Sequence, residues 1–262
     1  MTTGRRGIVW KTPDITADGL KMFACIVMLI QTVGIAVIEK GLIHLDQYTQ
    51  ESLNQAMSQD SRLMTLAGIG SIMQLIGGMA IPVFAFLLVE GFLHTRDVKK
   101  YLARMLTFAV VSEIPFDLAV FHTPLYWGYQ NVFFTLFLGL LALAGENVVH
   151  QSSGMFAGAG LWKQAFVLIL CVGTAQLINC DYGAFGVFFI ILLYMTRYDK
   201  KTQTILGAIS LIWELPGILA FIPIRLYNGT RGRCGNRYFF YAFYPVHLLA
   251  LWVAGRFIFK LF

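Results

Sequence analysis

The sequence predicts an all-α, polytopic transmembrane helical bundle, and three observations carry that expectation. Of the 262 residues, 57% are hydrophobic and 13% charged, and the mean hydropathy is +0.67; a soluble domain is roughly 45–50% apolar. The apolar residues form continuous runs instead of alternating. That favours helices over a barrel, because lipid gives backbone groups no partner outside a helix or a closed sheet. A span needs about 20 such residues, since the hydrocarbon layer is about 30 Å thick and a helix rises about 1.5 Å per residue.

By that measure about eight spans are expected, at residues 19–39, 69–92, 102–121, 131–149, 161–178, 182–197, 204–223 and 238–260. The sixth is the shortest. The fifth and sixth, separated by "INCD", fit either two crossings or a re-entrant hairpin. Residues 1–18 contain Arg5, Arg6 and Lys11 but no apolar stretch with a small-residue cleavage site. They read as a cytoplasmic N-terminal segment without a removable signal peptide, ahead of a single transmembrane domain over 19–262.

Basic residues mark cytoplasmic loops. The N-terminal segment, the second loop (Arg96, Lys99, Lys100, Arg104) and the sixth loop (Arg197, Lys200, Lys201) fall on one side. The opposite side receives "HLDQYTQESLNQAMSQDSR" and the stretch from Asp117 to Gln130, which has no Lys or Arg. Only the seventh loop breaks the alternation: with eight crossings, "RLYNGTRGRCGNR" puts Arg225, Arg231, Arg233 and Arg237 outside. Either a span is miscounted, or these arginines meet lipid phosphates or bind an anionic group, for which the planar guanidinium fork is suited.

Polar residues at membrane depth are costly and mark sites or helix contacts. Gln31 and Thr32 interrupt "IVMLIQTVGIAV". Glu113 and Asp117 stand four apart and share a helical face if the helix survives Pro115. Asn131 and Thr135 repeat that spacing where the fourth span starts, a place for helix capping or for ligand contact. Glu90 and His94 suit an ion pair that secures a helix end, or catalysis. His247, two residues after Pro245, suits packing or a general base.

Several function classes are excluded or disfavoured. Cys25, Cys171, Cys180 and Cys234 show no close ligand spacing, so no metal or disulfide framework is expected. No G-x-S-x-G, zinc-spaced His/Cys cluster or P-loop appears. The net charge of +6 sits in membrane-flanking loops, so no nucleic-acid partner is expected. A transporter is disfavoured, because no internal repeat or paired Gly/Pro-broken helices are visible.

In sequence and in order, "LKMFACIVMLI", "IPVFAFLLVEGFLHTR", "SEIPFD", "QNVFFTL", "CDYGAFGVFFIILLY", "LYNGTRG" and "FYPVHL" resemble the TraX family of membrane proteins, over residues 19–255. The resemblance implies a multi-pass acetyltransferase of the bacterial inner membrane, with its N-terminus cytoplasmic. Acetyl-CoA would be the donor substrate, and the acceptor an amine or hydroxyl on a pilin-like peptide N-terminus or an envelope component. Membrane lipids are the other expected partners, and self-association is left open. Such chemistry needs a base, oxyanion donors and cationic contacts for the CoA phosphates.

On that reading His247, His94 and Glu113 are the catalytic candidates. Asp117, Asn131, Thr135, Gln31, Thr32, Tyr182, Asn228 and Arg231 are expected at the substrate, and Arg96 and Lys100 at CoA. The chain departs from the family in two places. A family Asp-His pair falls on Gln31 and Thr32, neither of which accepts a proton near neutral pH, and a family arginine falls on Gly78 in "LIGGMAIPVF". The departures leave two expectations: His94 or His247 supplies the base, or the chain is a non-catalytic accessory protein that binds a lipid or peptide.

Overall fold

The computed structural model describes residues 14–152, 157–232 and 237–259. The described residues are helical apart from loops and two isolated bridges, Ile15–Tyr227 and Gln130–Cys180. Helix α1 (Ala17–Val33) starts at Thr16, whose side chain accepts from the Gly19 N–H, and continues as a wider π-helical segment, Gly34–Ile43. The short polar α2 (Gln50–Gln59) is opened by a Thr49–Ser52 capping box. Asp60 caps α3 (Ser61–Gly77), which turns at Gly78 and Met79 into α4 (Ala80–His94). The Asp97 carboxyl accepts from the Lys100 N–H and is held below its usual range by that bond; it caps α5 (Val98–Phe121), which runs through Pro115 unbroken.

The second half comprises α6 (Val132–Ser152), α7 (Ala157–Leu177), α8 (Gly183–Met195), α9 (Lys200–Ser210), α10 (Leu215–Leu219), α11 (Phe221–Arg225) and α12 (Arg237–Val253). Helix α4 is apolar on every face up to Glu90 and is the centre of the bundle, with Val83, Ala85, Leu88 and Val89 almost wholly enclosed. Lipid is as apolar as leucine, so helix association rests on close packing of small residues. Ala24, Ala85, Ala109, Ala119, Ala142 and Ala175 are accordingly sealed inside, while Ile72, Val110, Ile114, Ile169 and Leu170 stay exposed on the outer surface.

By length and composition, three helical stretches among the described residues can cross a membrane: Ala17–Ile43, Ser61–His94 and Tyr238–Phe257. Val132–Glu146, Trp162–Leu177, Gly183–Met195 and Leu215–Arg225 are shorter apolar helices. The expected count of eight spans needs one clear correction, at 204–223. Instead of one helix, the chain forms α9, a turn through Glu214, and then the five-residue α10 and α11. Pro216 and Pro223 open new helical turns here and cannot extend the old one. The Phe221 ring lies over Gly207, where a Cβ would come within 2.2 Å of it, so α11 folds back along α9.

This hairpin returns the chain to the N-terminal end of α1. Ile15 N–H donates to Leu226 O (2.8 Å), Ala17 N–H to Thr230 O (2.8 Å), and Asn228 N–H to Ile15 O (3.0 Å). At the same end, Tyr227 meets Phe86 edge-on and bonds Glu90, Phe92 meets Tyr194 at the foot of α8, and Lys21 and Arg104 lie over the Phe240 and Tyr241 rings of α12. The start of α1, the end of α4, the start of α5, the end of α8, the 226–231 strap and the start of α12 therefore share one end. Arg233 and Cys234 lie outside the described residues, as does the side chain of Arg237.

Candidate functional site

A cavity of about 390 Å³ opens between α1, α4, α5, α12 and the loops that precede α6 and α8. Gln31 and Thr32 face it from the last turn of α1, Asp181 and Tyr182 from the mouth of α8, Tyr129 from the loop before α6, and Tyr244 from α12. Against the same wall, His247 Nε2 lies 3.3 Å from Thr32 Oγ1. His247 Nδ1 is 2.8 Å from the Phe243 carbonyl, which can only accept, so the proton of a neutral imidazole resides on Nδ1 and the Nε2 lone pair faces Thr32. Thr32 Oγ1 donates its single proton to Met28 O at 2.8 Å, and the same hydroxyl can turn to donate it to Nε2 instead. The ring is held by stacking on Phe243 (4.8 Å) and an edge contact with Tyr244 (5.7 Å).

Opposite, Tyr129 donates its hydroxyl proton to Asp181 at 2.8 Å, and Thr135 donates to the Asp181 carbonyl. Tyr182 takes a left-handed backbone (φ 62°) at the cap of α8, which turns its side chain toward Gln31, its hydrogen-bond partner. Gln31 itself lies over Gly77. Glu214, from the turn of the α9–α11 hairpin, faces Gly78 and the Asp181–Tyr182 pair.

Asn131 is completely buried and joins α5 to the start of α6. Its Nδ2 donates to Ala109 O (2.8 Å) and to Glu113, and its Oδ1 accepts from Phe133 N–H (3.0 Å), capping α6. One turn on, Asp117 accepts from Tyr126 N–H (2.8 Å). Glu113, Asp117 and Asn131 thus brace the loop that carries Tyr129 and do not line the cavity.

A second chamber of about 230 Å³ lies toward the N-terminal end of α1. Apart from Lys21 and Arg104 at its margin, its lining is mainly apolar or aromatic. Lys21 pairs with Asp18 at 3.0 Å, whereas Arg104 sits between the Tyr101 and Tyr241 rings with its Nε buried and unbonded. Met28, Phe84, Val132 and Tyr244 line both chambers and form the wall between them.

The structure brings together Gln31, Thr32, Tyr182 and, behind Thr32, His247. It does not bring in the others. His94 is 72% exposed on the outside of the bundle, 3.9 Å from Glu90, the helix-end pair the sequence suggested. Arg96 and Lys100 line neither chamber, and Lys100 pairs with Asp97 at 3.1 Å. Asn228 closes a turn by accepting from Thr230, and Arg231 is exposed in the strap. Among the described residues no group of three His, Cys, Asp or Glu side chains is placed to hold a metal, and Cys25, Cys171 and Cys180 are free and buried.

Sequence reasoning missed Tyr129, Asp181, Tyr244, Lys21 and Arg104 as site residues. One signal was available for Asp181, a lone acid between two apolar segments, and one for Tyr244, three residues before His247 and so on its helical face.

The arrangement can be set against known proteins. The family profile described as "TraX protein" matches residues 16–254. This chain belongs to the TraX family. A TraX-like relative, "Probable fimbrial assembly protein FimC, serogroup H1" of Dichelobacter nodosus, is 31% identical over 237 residues, covering 78% of this chain and 92% of that protein. No solved structure matches significantly. In this TraX protein the positions that the sequence marked as departures are split by the structure: Gln31 and Thr32 line the cavity, whereas Gly78, in the α3–α4 turn, lies against Glu214 and is not part of the lining.

Proposed function

We propose that this TraX protein is a membrane acyltransferase that moves an acetyl group from acetyl-CoA to an amine or hydroxyl acceptor. The observation that carries the reading is the His247 imidazole, tautomer fixed by Phe243 O, with its Nε2 lone pair turned toward the wall where the two chambers meet. A buried, oriented histidine directly behind a cavity-lining hydroxyl is an arrangement that suits general-base catalysis. It stands in for the base that Gln31 and Thr32 cannot supply. The Lys21–Arg104 margin suits the phosphates of the donor better than the exposed Arg96 and Lys100 do. The fimbrial name of the Dichelobacter relative supports a pilin-like N-terminus as the acceptor.

The strap supports a topology in a bacterial inner membrane with the N-terminal end cytoplasmic. If α9–α11 enters and returns, the bundle makes seven crossings. The strap arginines then join Arg96, Lys100, Arg197 and Lys200 on the cytoplasmic side, where basic loops belong, and the donor chamber faces cytoplasmic CoA.

The test uses purified protein with labelled acetyl-CoA and a panel of peptides with free N-termini and hydroxylated glycans. Transfer above a heat-inactivated control is expected. A second reading, a non-catalytic accessory protein, is favoured by the loss of the Asp-His pair. It requires that the wild type transfer nothing while the Gln31→Asp, Thr32→His double variant gains turnover.

A further inference from the structure

We propose that Thr32 is an acyl-carrying nucleophile that relays the acyl group from a donor in the Lys21–Arg104 chamber to an acceptor in the Gln31–Asp181 chamber. This rests on the transferase reading above and adds a covalent intermediate to it.

Three observations converge on Thr32. Its hydroxyl donates its one proton to Met28 O at rest and lies within 3.3 Å of a histidine nitrogen whose partner nitrogen is locked on a carbonyl, so turning the O–H from Met28 O to Nε2 gives the nucleophile–base–orienter geometry of covalent acyl transfer. It stands one helical turn beyond Met28, a residue of the dividing wall, and bonds the Met28 carbonyl, so it lies on the acceptor side next to the partition. Thr32 and His247 are only 8% and 7% exposed, which keeps water from an ester formed there. With donor and acceptor in separate chambers, direct attack needs the wall to open widely. A carrier beside the wall needs only the thioester to reach past it.

The steps balance. Thr32 Oγ1 attacks the thioester carbonyl carbon and its proton passes to His247 Nε2. The C–S bond then breaks, and the imidazolium protonates the departing thiolate. That leaves a Thr32 ester, a free thiol and neutral His247. The acceptor amine next attacks the ester carbon and gives its proton to His247. The bond to Thr32 breaks, and Thr32 Oγ1 recovers its proton from the imidazolium. Thioester and amine become amide and thiol with no redox partner. Tyr244 suits the oxyanion: its oxygen accepts from the Val132 N–H at the start of α6, so its own proton is available, and it lines both chambers.

The experiment incubates the purified full chain with acetyl-CoA without acceptor. It expects a burst of free thiol equal to the enzyme, a mass gain of one acetyl group mapped to Thr32, and parallel double-reciprocal plots once acceptor is added. Thr32→Ser keeps both the acetylated protein and the transfer. Thr32→Val, which replaces the hydroxyl by a methyl of the same shape, loses the adduct and at least about 100-fold of the rate. Thr32→Ala repeats the test should Val fail to fold. Wild-type transfer with no adduct, or with Thr32→Val near the wild-type rate, overturns the relay and leaves the transferase reading standing. Absence of transfer by the wild type overturns both.

Discussion

Gln31 lies across Gly77: a Cβ on Gly77 would come within 2.2 Å of Gln31 Cβ and 2.7 Å of its Cδ. The α1 side chain at the family's acid position is thus seated on bare backbone of α3, and from there reaches Tyr182. Gly77→Ala must push Gln31 off this seat. The expected cost is about 1–3 kcal/mol, as for an overpacked core, read as a lower midpoint of thermal unfolding in detergent.

Gly78, its neighbour, behaves differently. A Cβ there meets Leu75 O at 3.4 Å and Glu214 Oε1 at 3.6 Å, both ordinary contacts. Gly78→Arg restores the family's cation and sets it beside Glu214. The single variant is expected to unfold within about 1 kcal/mol of the wild type. Adding Glu214→Gln to it leaves a half-buried cation without its partner, and costs about 1 kcal/mol more.

Asn131 holds α5 to α6 through an amide with no solvent access. Asn131→Ala removes the partner of Ala109 O, of Glu113 and of the Phe133 N–H together. Unsatisfied buried groups cost about 1–3 kcal/mol each, so a loss of at least about 3 kcal/mol is expected, measured by chemical denaturation. Tyr129 should then be less well placed, and acceptor KM should rise more than kcat falls.

Chemical labelling can test the seven-crossing topology proposed above. With Cys234 replaced by serine and the other cysteines buried, a membrane-impermeant maleimide should reach Arg231→Cys and Asp14→Cys from the same face of oriented vesicles, and Ser58→Cys from the opposite face. Labelling of Arg231→Cys with Ser58→Cys would restore the eighth crossing.

Much of the bundle was legible because lipid imposes one rule on every span, and runs such as those in α1 and α4 obey it plainly. The α9–α11 hairpin was not, because its hydropathy matches that of a span and only Pro216, Pro223 and the misplaced arginines signalled a return. Thr32 and Tyr182 were visible as polar residues in apolar or motif context. The Thr32–His247 contact was not, because it joins residues 215 positions apart and depends on how α12 packs against α1. Arg96 and Lys100 were expected at the donor from side and charge alone, and charge says nothing about where a cavity opens. Lys21 and Arg104, part of the same basic end, are the cations at a chamber.

The most direct measurement is the rate of labelled acetyl transfer from acetyl-CoA by His247→Ala and His94→Ala, each compared with wild type. His247→Ala should lose about 100- to 10,000-fold in kcat with donor binding retained, while His94→Ala, exposed at the end of α4, should transfer at the wild-type rate. Wild-type turnover in His247→Ala, or its loss in His94→Ala alone, would contradict His247 as the base.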